Sequence, residues 1–74
     1  MRAKEVIRAL DRLGFVISRQ SGSHIRLIHP GSPSAGLTVS MHAGEDLSDG
    51  NISSIIRQAG ITRAEFEQAR RNRL

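Results

Sequence analysis

The chain has no cysteine, tryptophan or tyrosine, and only two prolines and two phenylalanines among its 74 residues. Without cysteine it has no disulfide framework, no thiolate metal site and no cysteine nucleophile, a pattern that fits a reducing compartment. With two phenylalanines as its whole aromatic complement it lacks the stacking platform on which single-strand binders lay their bases, so any nucleic acid must be held through phosphate or ribose. Long apolar runs are missing as well. The N-terminal segment is charged and amphipathic, which predicts neither a signal peptide nor a membrane span and places the protein in the cytoplasm, with no membrane partner.

What is present is basic. Eleven Lys and Arg stand against seven Asp and Glu, for a net charge of +4 and a pI near 11.4, and Lys4 is the one lysine among them. The planar arginine fork suits phosphate and carboxylate oxygens, so the charge attracts polyanions without naming one. A chain this short buries only about 60% of the surface its unfolded form exposes, which predicts a single domain over residues 1–74 with a thin core and no deep enclosed pocket.

Ala3, Val6, Ile7, Leu10 and Leu13 recur at helical spacing, and the spacing predicts an amphipathic helix over 2–13 stopped by Gly14. Residues 15–20 (FVISRQ) and 24–29 (HIRLIH) are rich in strand formers, and Ser21-Gly22-Ser23 between them carries turn residues, so a hairpin is expected. With a three-residue loop, Phe15, Ile17, Ile25 and Leu27 share the core face. The segment 30–36 reads as a loop, and alternation of Leu37, Val39 and Met41 with Thr38, Ser40 and His42 predicts a third strand over 37–42. Ser48 caps a helix over 49–59 ended by Gly60, and Thr62-x-x-Glu65 is a capping box for a short last helix over 63–72.

The expected fold class is therefore α+β, in the order α-β-β-β-α with a short C-terminal helix: a three-stranded antiparallel sheet with helices on one face. The opposite face stays open. On this register it displays Ser18, Gln20, His24, Arg26, Thr38, Ser40 and His42, with no carboxylate among them.

At these residues the chain resembles a known family, the HicA toxins, small mRNA interferases of bacterial toxin–antitoxin pairs. The resemblance is carried by Leu10-x-x-Leu13-Gly14-Phe15, by Arg19-Gln20-Ser21-Gly22-Ser23-His24 with its G-S-H core, and by Val39-x-x-His42. It continues through Leu47-Ser48-x-Gly50-Asn51-Ile52-x-x-Ile55-Ile56-Arg57-Gln58-Ala59-Gly60-Ile61, with Phe66 beyond. It implies a fold like the double-stranded-RNA-binding domain, ribonuclease activity on mRNA, and neutralisation by a HicB-like antitoxin protein. It also implies that His24, in the G-S-H position, is the residue activity requires. The chain departs from many relatives at Ser40-Met41, where they carry a proline before the histidine matched by His42.

The chemistry is consistent with that resemblance. RNA brings its own nucleophile, the 2′-hydroxyl, so a ribonuclease needs a proton acceptor, a proton donor and cationic stabilisation, and neither a metal nor a small-molecule cofactor is obligatory. Histidine exchanges protons near neutrality, which suits His24 as general acid or base. Arg26 lies two residues along the same strand, where it either grips a phosphate or shields the sheet. Gly22 and Ser23 offer backbone amides to a phosphate or simply make a hairpin turn, and Arg19 at the head of the motif is counted with the RNA contacts. His42 is a second acid/base or ribose contact, or else a strand-end residue bonded to a loop.

A zinc site from His24, His29 and His42 fails on strand alternation, because His29 points away from His24. Glu45, Asp46 and Asp49 surround a helix N-terminus, where the helix dipole accounts for carboxylates. The alternative class is a non-catalytic double-stranded-RNA-binding module. Such modules place lysines at the start of the last helix, where this chain has acids.

Overall fold

The apolar stripe of the first segment forms helix α1, Ala3–Arg12, which buries Ala3, Val6, Ala9 and Leu10. Gly14 ends it with φ +96°, and the N–H groups of Gly14 and Phe15 donate to the carbonyls of Asp11 and Leu10. That pair of bonds is the Schellman arrangement, and it folds Phe15 back under the helix, where it is buried. The computed structural model describes residues 1–40 and 46–72, and the backbone alone over 32–35. The chain continues through strands β1 (Val16–Ser21), β2 (His24–His29) and β3 (Ser32–Ser40), then helices α2 (Asp49–Ala59) and α3 (Arg63–Arg71). The three strands form one antiparallel sheet in the order β1-β2-β3, so the architecture is α+β with the topology of a double-stranded-RNA-binding-like fold.

The register differs from the sequence expectation in an instructive way. Ser21 pairs directly with His24, so the hairpin loop has two residues, Gly22 and Ser23, and the φ of +59° at Gly22 is what the first position of a type II′ turn requires. The residue expected in the loop sits instead in β1, as a bulge at Ser18 between the pairs Ile17↔Leu27 and Arg19↔Arg26. Below the bulge the pairing is that of a three-residue loop; above it every partner moves by one. Gln20 therefore pairs with Ile25, toward the helix side of the sheet, and Arg19 and Ser21 take the places on the open face expected of Ser18 and Gln20.

Two further expectations change. Ile17 lies on the core side, yet it is 53% exposed, as is 44% of Val16, because the helices pack over β3 and leave the edge strand β1 uncovered. The third strand begins at Ser32 rather than 37: Pro30 and Gly31 make the turn, His29 pairs with Ser32, and an irregularity restores the pairing at Leu27↔Leu37. The predicted strand residues Met41 and His42 lie outside the described residues.

His29 secures that turn. Its Nδ1 accepts the Gly31 N–H at 3.0 Å and its ring stands edge-on to Phe15, 5.1 Å between centroids. A Cβ on Gly14 would stand 2.8 Å from His29 Nε2, so the glycine that ends α1 also makes room for this imidazole.

Leu10, Val6, Leu27, Leu37, Val39 and Phe66 are the largest fully buried side chains, and Ile52, Ile55, Ile56 and Ala59 of α2 complete the layer. Ser48 Oγ caps α2 by accepting from Asn51 N–H, and α3 begins with a reciprocal box in which Thr62 and Glu65 each accept the other's backbone N–H. The Thr62 backbone bond, then its hydroxyl, holds the Glu65 carboxyl below its ordinary value of 4.5. Arg12 reaches across to the C-terminal end of α3, donating to the Ala69 carbonyl at 2.9 Å.

Phe66→Ala is expected to cost about 3–5 kcal/mol, most of what a domain of this size has to spare, and to appear as a collapse of the denaturant midpoint. Because the Glu65 carboxyl is depressed in the folded chain, its contribution is complete above the ordinary glutamate range and is lost as pH falls through the folded value. Glu65→Gln, which can still accept the Thr62 N–H, is expected to flatten the acid limb of a thermal-midpoint profile below about pH 4.5, relative to wild type.

Candidate functional site

Burial of Ile25 and Leu27 on one side of β2 forces His24 and Arg26 onto the other. Cross-strand pairing then assembles two rows on the open face. One is Ser21, His24 and Ser40; the next is Arg19, Arg26 and Thr38. His24 is exposed, with a hydroxyl residue on each flanking strand, and among the described residues no side chain is hydrogen-bonded to its ring. Gly22 and Ser23 form the turn immediately before it.

Arg19 and Arg26 stand directly opposite each other. Like charges in facing positions of a sheet repel, so this pair costs the fold a little and offers an anion two adjacent cations. No strand residue is a carboxylate, and among the described residues neither arginine is in an ion pair; the pairs present join Arg2 to Asp46 and Arg63 and Arg70 to Glu67. The guanidinium of Arg26 lies along β3 against Gly36, toward the strand that bears no facing charge.

The structure thus brings together His24, Arg26, Arg19, Gly22 and Ser23 at one end of the open face, while His42 lies outside the described residues. Ser21, a turn residue by composition, stands beside His24 because of the bulge in β1, a placement with no signal in the sequence. Gly36, a loop residue by composition, lies in β3. His29 lies with Phe15 and Gly31, apart from His24, and among the described residues no three histidine or carboxylate side chains converge. Asp49 opens α2 and Asp46 pairs with Arg2 at 3.9 Å, both consistent with structural roles.

Against known families, residues 3–61 match the one described as HicA toxin of bacterial toxin–antitoxin. The chain belongs to the HicA toxin family. The match runs from the start of α1 to the cap of α2 and takes in the whole open face; α3 lies beyond it. No curated protein matches the chain. As a HicA family member the protein is the toxin of a toxin–antitoxin pair, and an antitoxin is its partner.

Removing one of the facing arginines separates charge from fold. Arg19→Ala is expected to leave the thermal midpoint unchanged or slightly raised, while the slope of log affinity against log salt, for any single-stranded polyanion that the facing pair holds, falls by about 0.7, one phosphate contact. A salt titration of binding beside a melting curve reads both.

Proposed function

We propose that this toxin is an endoribonuclease that cleaves mRNA, with His24 as general acid or base and Arg19 and Arg26 holding the RNA backbone. The observation that carries this reading is the coincidence on one open sheet face of an exposed imidazole and two facing arginines that have no carboxylate partner among the described residues. A neutral imidazole takes the proton of the 2′-hydroxyl as its oxygen attacks the adjacent phosphorus. An imidazolium returns a proton to the departing 5′-oxygen, leaving a 2′,3′-cyclic phosphate and a free 5′-hydroxyl. Cations beside the phosphate stabilise the charge that builds on its oxygens. Since the nucleophile belongs to the substrate, this route calls for no metal and no small-molecule cofactor, and cleavage is expected to persist in chelator.

Gly22 and Ser23, in the turn next to His24, offer backbone amides to the phosphate, and His42 serves as a second acid/base or ribose contact. An antitoxin of the HicB type covers the His24 face, using acidic groups against the arginines.

His24→Ala tests the reading. The variant is expected to lose at least about 10²-fold in RNA cleavage and its growth arrest on induction, while still capturing its antitoxin as evidence of a native fold. Equal cleavage by variant and wild type would sink the assignment. In the purified toxin–antitoxin complex, an imidazole-modifying reagent is expected to leave His24 untouched; modification at the free rate would place the antitoxin elsewhere.

A further inference from the structure

Of the described glycines, Gly14, Gly22 and Gly60 have positive φ, and their identity has a conformational reason. Gly36 does not, and its identity has a spatial one. A Cβ built there would stand 2.8 Å from Cζ and 3.3 Å from Nε of Arg26, with the near guanidinium nitrogen closer still. The guanidinium therefore occupies the volume that any other side chain at this position would fill.

Register explains the placement. Arg26 pairs with Thr38, and Gly36 is two residues further along β3 on the same face, in the direction away from Ser40 and hence from His24. Arg19 stands on the other flank of Arg26, and its charge disfavours a turn toward β1. Among the described residues no carboxylate pairs with this guanidinium and no acceptor hydrogen-bonds it, so shape and repulsion decide where it lies. The direction matters for what the arginine can hold. His24 and Arg26 are already about 6.6 Å apart along the strand, and a side chain running on toward Gly36 carries the cation to a phosphate next to the one at His24 rather than to the same one.

We propose that Gly36 is a positioning residue: the absence of its side chain forms the seat in which Arg26 is held to grip the RNA phosphate adjacent to the scissile one. The proposal rests on reading this face as the RNA-cleaving site. Replacing Gly36 meets only the far end of a flexible side chain, so Gly36→Ala displaces the arginine while the fold persists.

The experiment compares wild type, Gly36→Ala, Arg26→Ala and the double variant. Binding is measured with a non-cleavable 2′-O-methyl oligoribonucleotide, and cleavage kinetics with the matching RNA. Gly36→Ala and Arg26→Ala are each expected to weaken binding about tenfold, the low end for one charge-assisted contact, with the loss in KM rather than kcat. In the double variant the Gly36→Ala change adds nothing to Arg26→Ala, because its effect runs through the guanidinium. The second readout needs no RNA: the Arg26 Nε–H signal is expected to show an ordered group in wild type and a mobile one in Gly36→Ala. Wild-type binding by Gly36→Ala, effects that add in the double variant, or an Arg26 Nε–H equally mobile in both proteins would each overturn the seat. If wild type neither binds nor cleaves RNA while Gly36→Ala still loosens Arg26, the seat stands and the RNA reading falls.

Discussion

The central strand β2 is the element on which both the core and the site depend, because the same six residues supply both. Ile25 and Leu27 are almost fully removed from water, and each interacts across the sheet with a buried partner on β3, Val39 and Leu37. Strand geometry sends alternate side chains to opposite faces, so the free energy that buries these two also holds His24 and Arg26 outward. A slip of one residue would bury an imidazole and a guanidinium and expose two aliphatic side chains. The position of these two side chains is thus guarded by hydrophobic burial, and among the described residues neither makes a hydrogen bond of its own.

Everything that touches β2 refines this arrangement. The bulge at Ser18 lets β1 keep Ile17 opposite Leu27 and still set Arg19 opposite Arg26. The two-residue turn brings Ser21 beside His24. At the other end His29 closes the Pro30–Gly31 turn and packs against Phe15, so the strand is tied to the end of α1 through aromatic contact and through the space left by Gly14. The helices act from the far side: α1 and α2 cover β3, and α3, outside the family match, adds Phe66 to the same core and is latched to α1 by Arg12.

This division of labour explains an uneven distribution of charge. Acids among the described residues serve the helices: Glu65 in a capping box, Asp49 at the start of α2, Glu67 between Arg63 and Arg70, Asp46 with Arg2. No residue of β1, β2 or β3 is an acid, so among the described residues the sheet's open face carries uncompensated cations. A pair of facing arginines is a small cost to stability that makes sense where a polyanion is to be bound.

Helix periodicity, capping residues and strand alternation are local signals, and from them the element order, the buried stripe of each helix and the outward placement of His24 and Arg26 could be read in the amino-acid order alone. The glycine caps at Gly14 and Gly60 and the box at Thr62 and Glu65 belong with these, since each involves residues within one turn of chain. The order and spacing of the motifs at Leu10–Phe15, Arg19–His24, Val39–His42 and Leu47–Ile61 together also indicated the family. Pairing between strands is different. Whether an extra residue sits in a loop or in a bulge is settled by how β1 pairs with β2 once Ile25 and Leu27 are buried against Val39 and Leu37, a property of the assembled sheet and its helix layer. Folding alone therefore put Ser21 beside His24, turned Gln20 away, brought Arg19 against Arg26, and gave Gly36 a neighbour far from it in the chain, because those contacts exist only once the strands have paired.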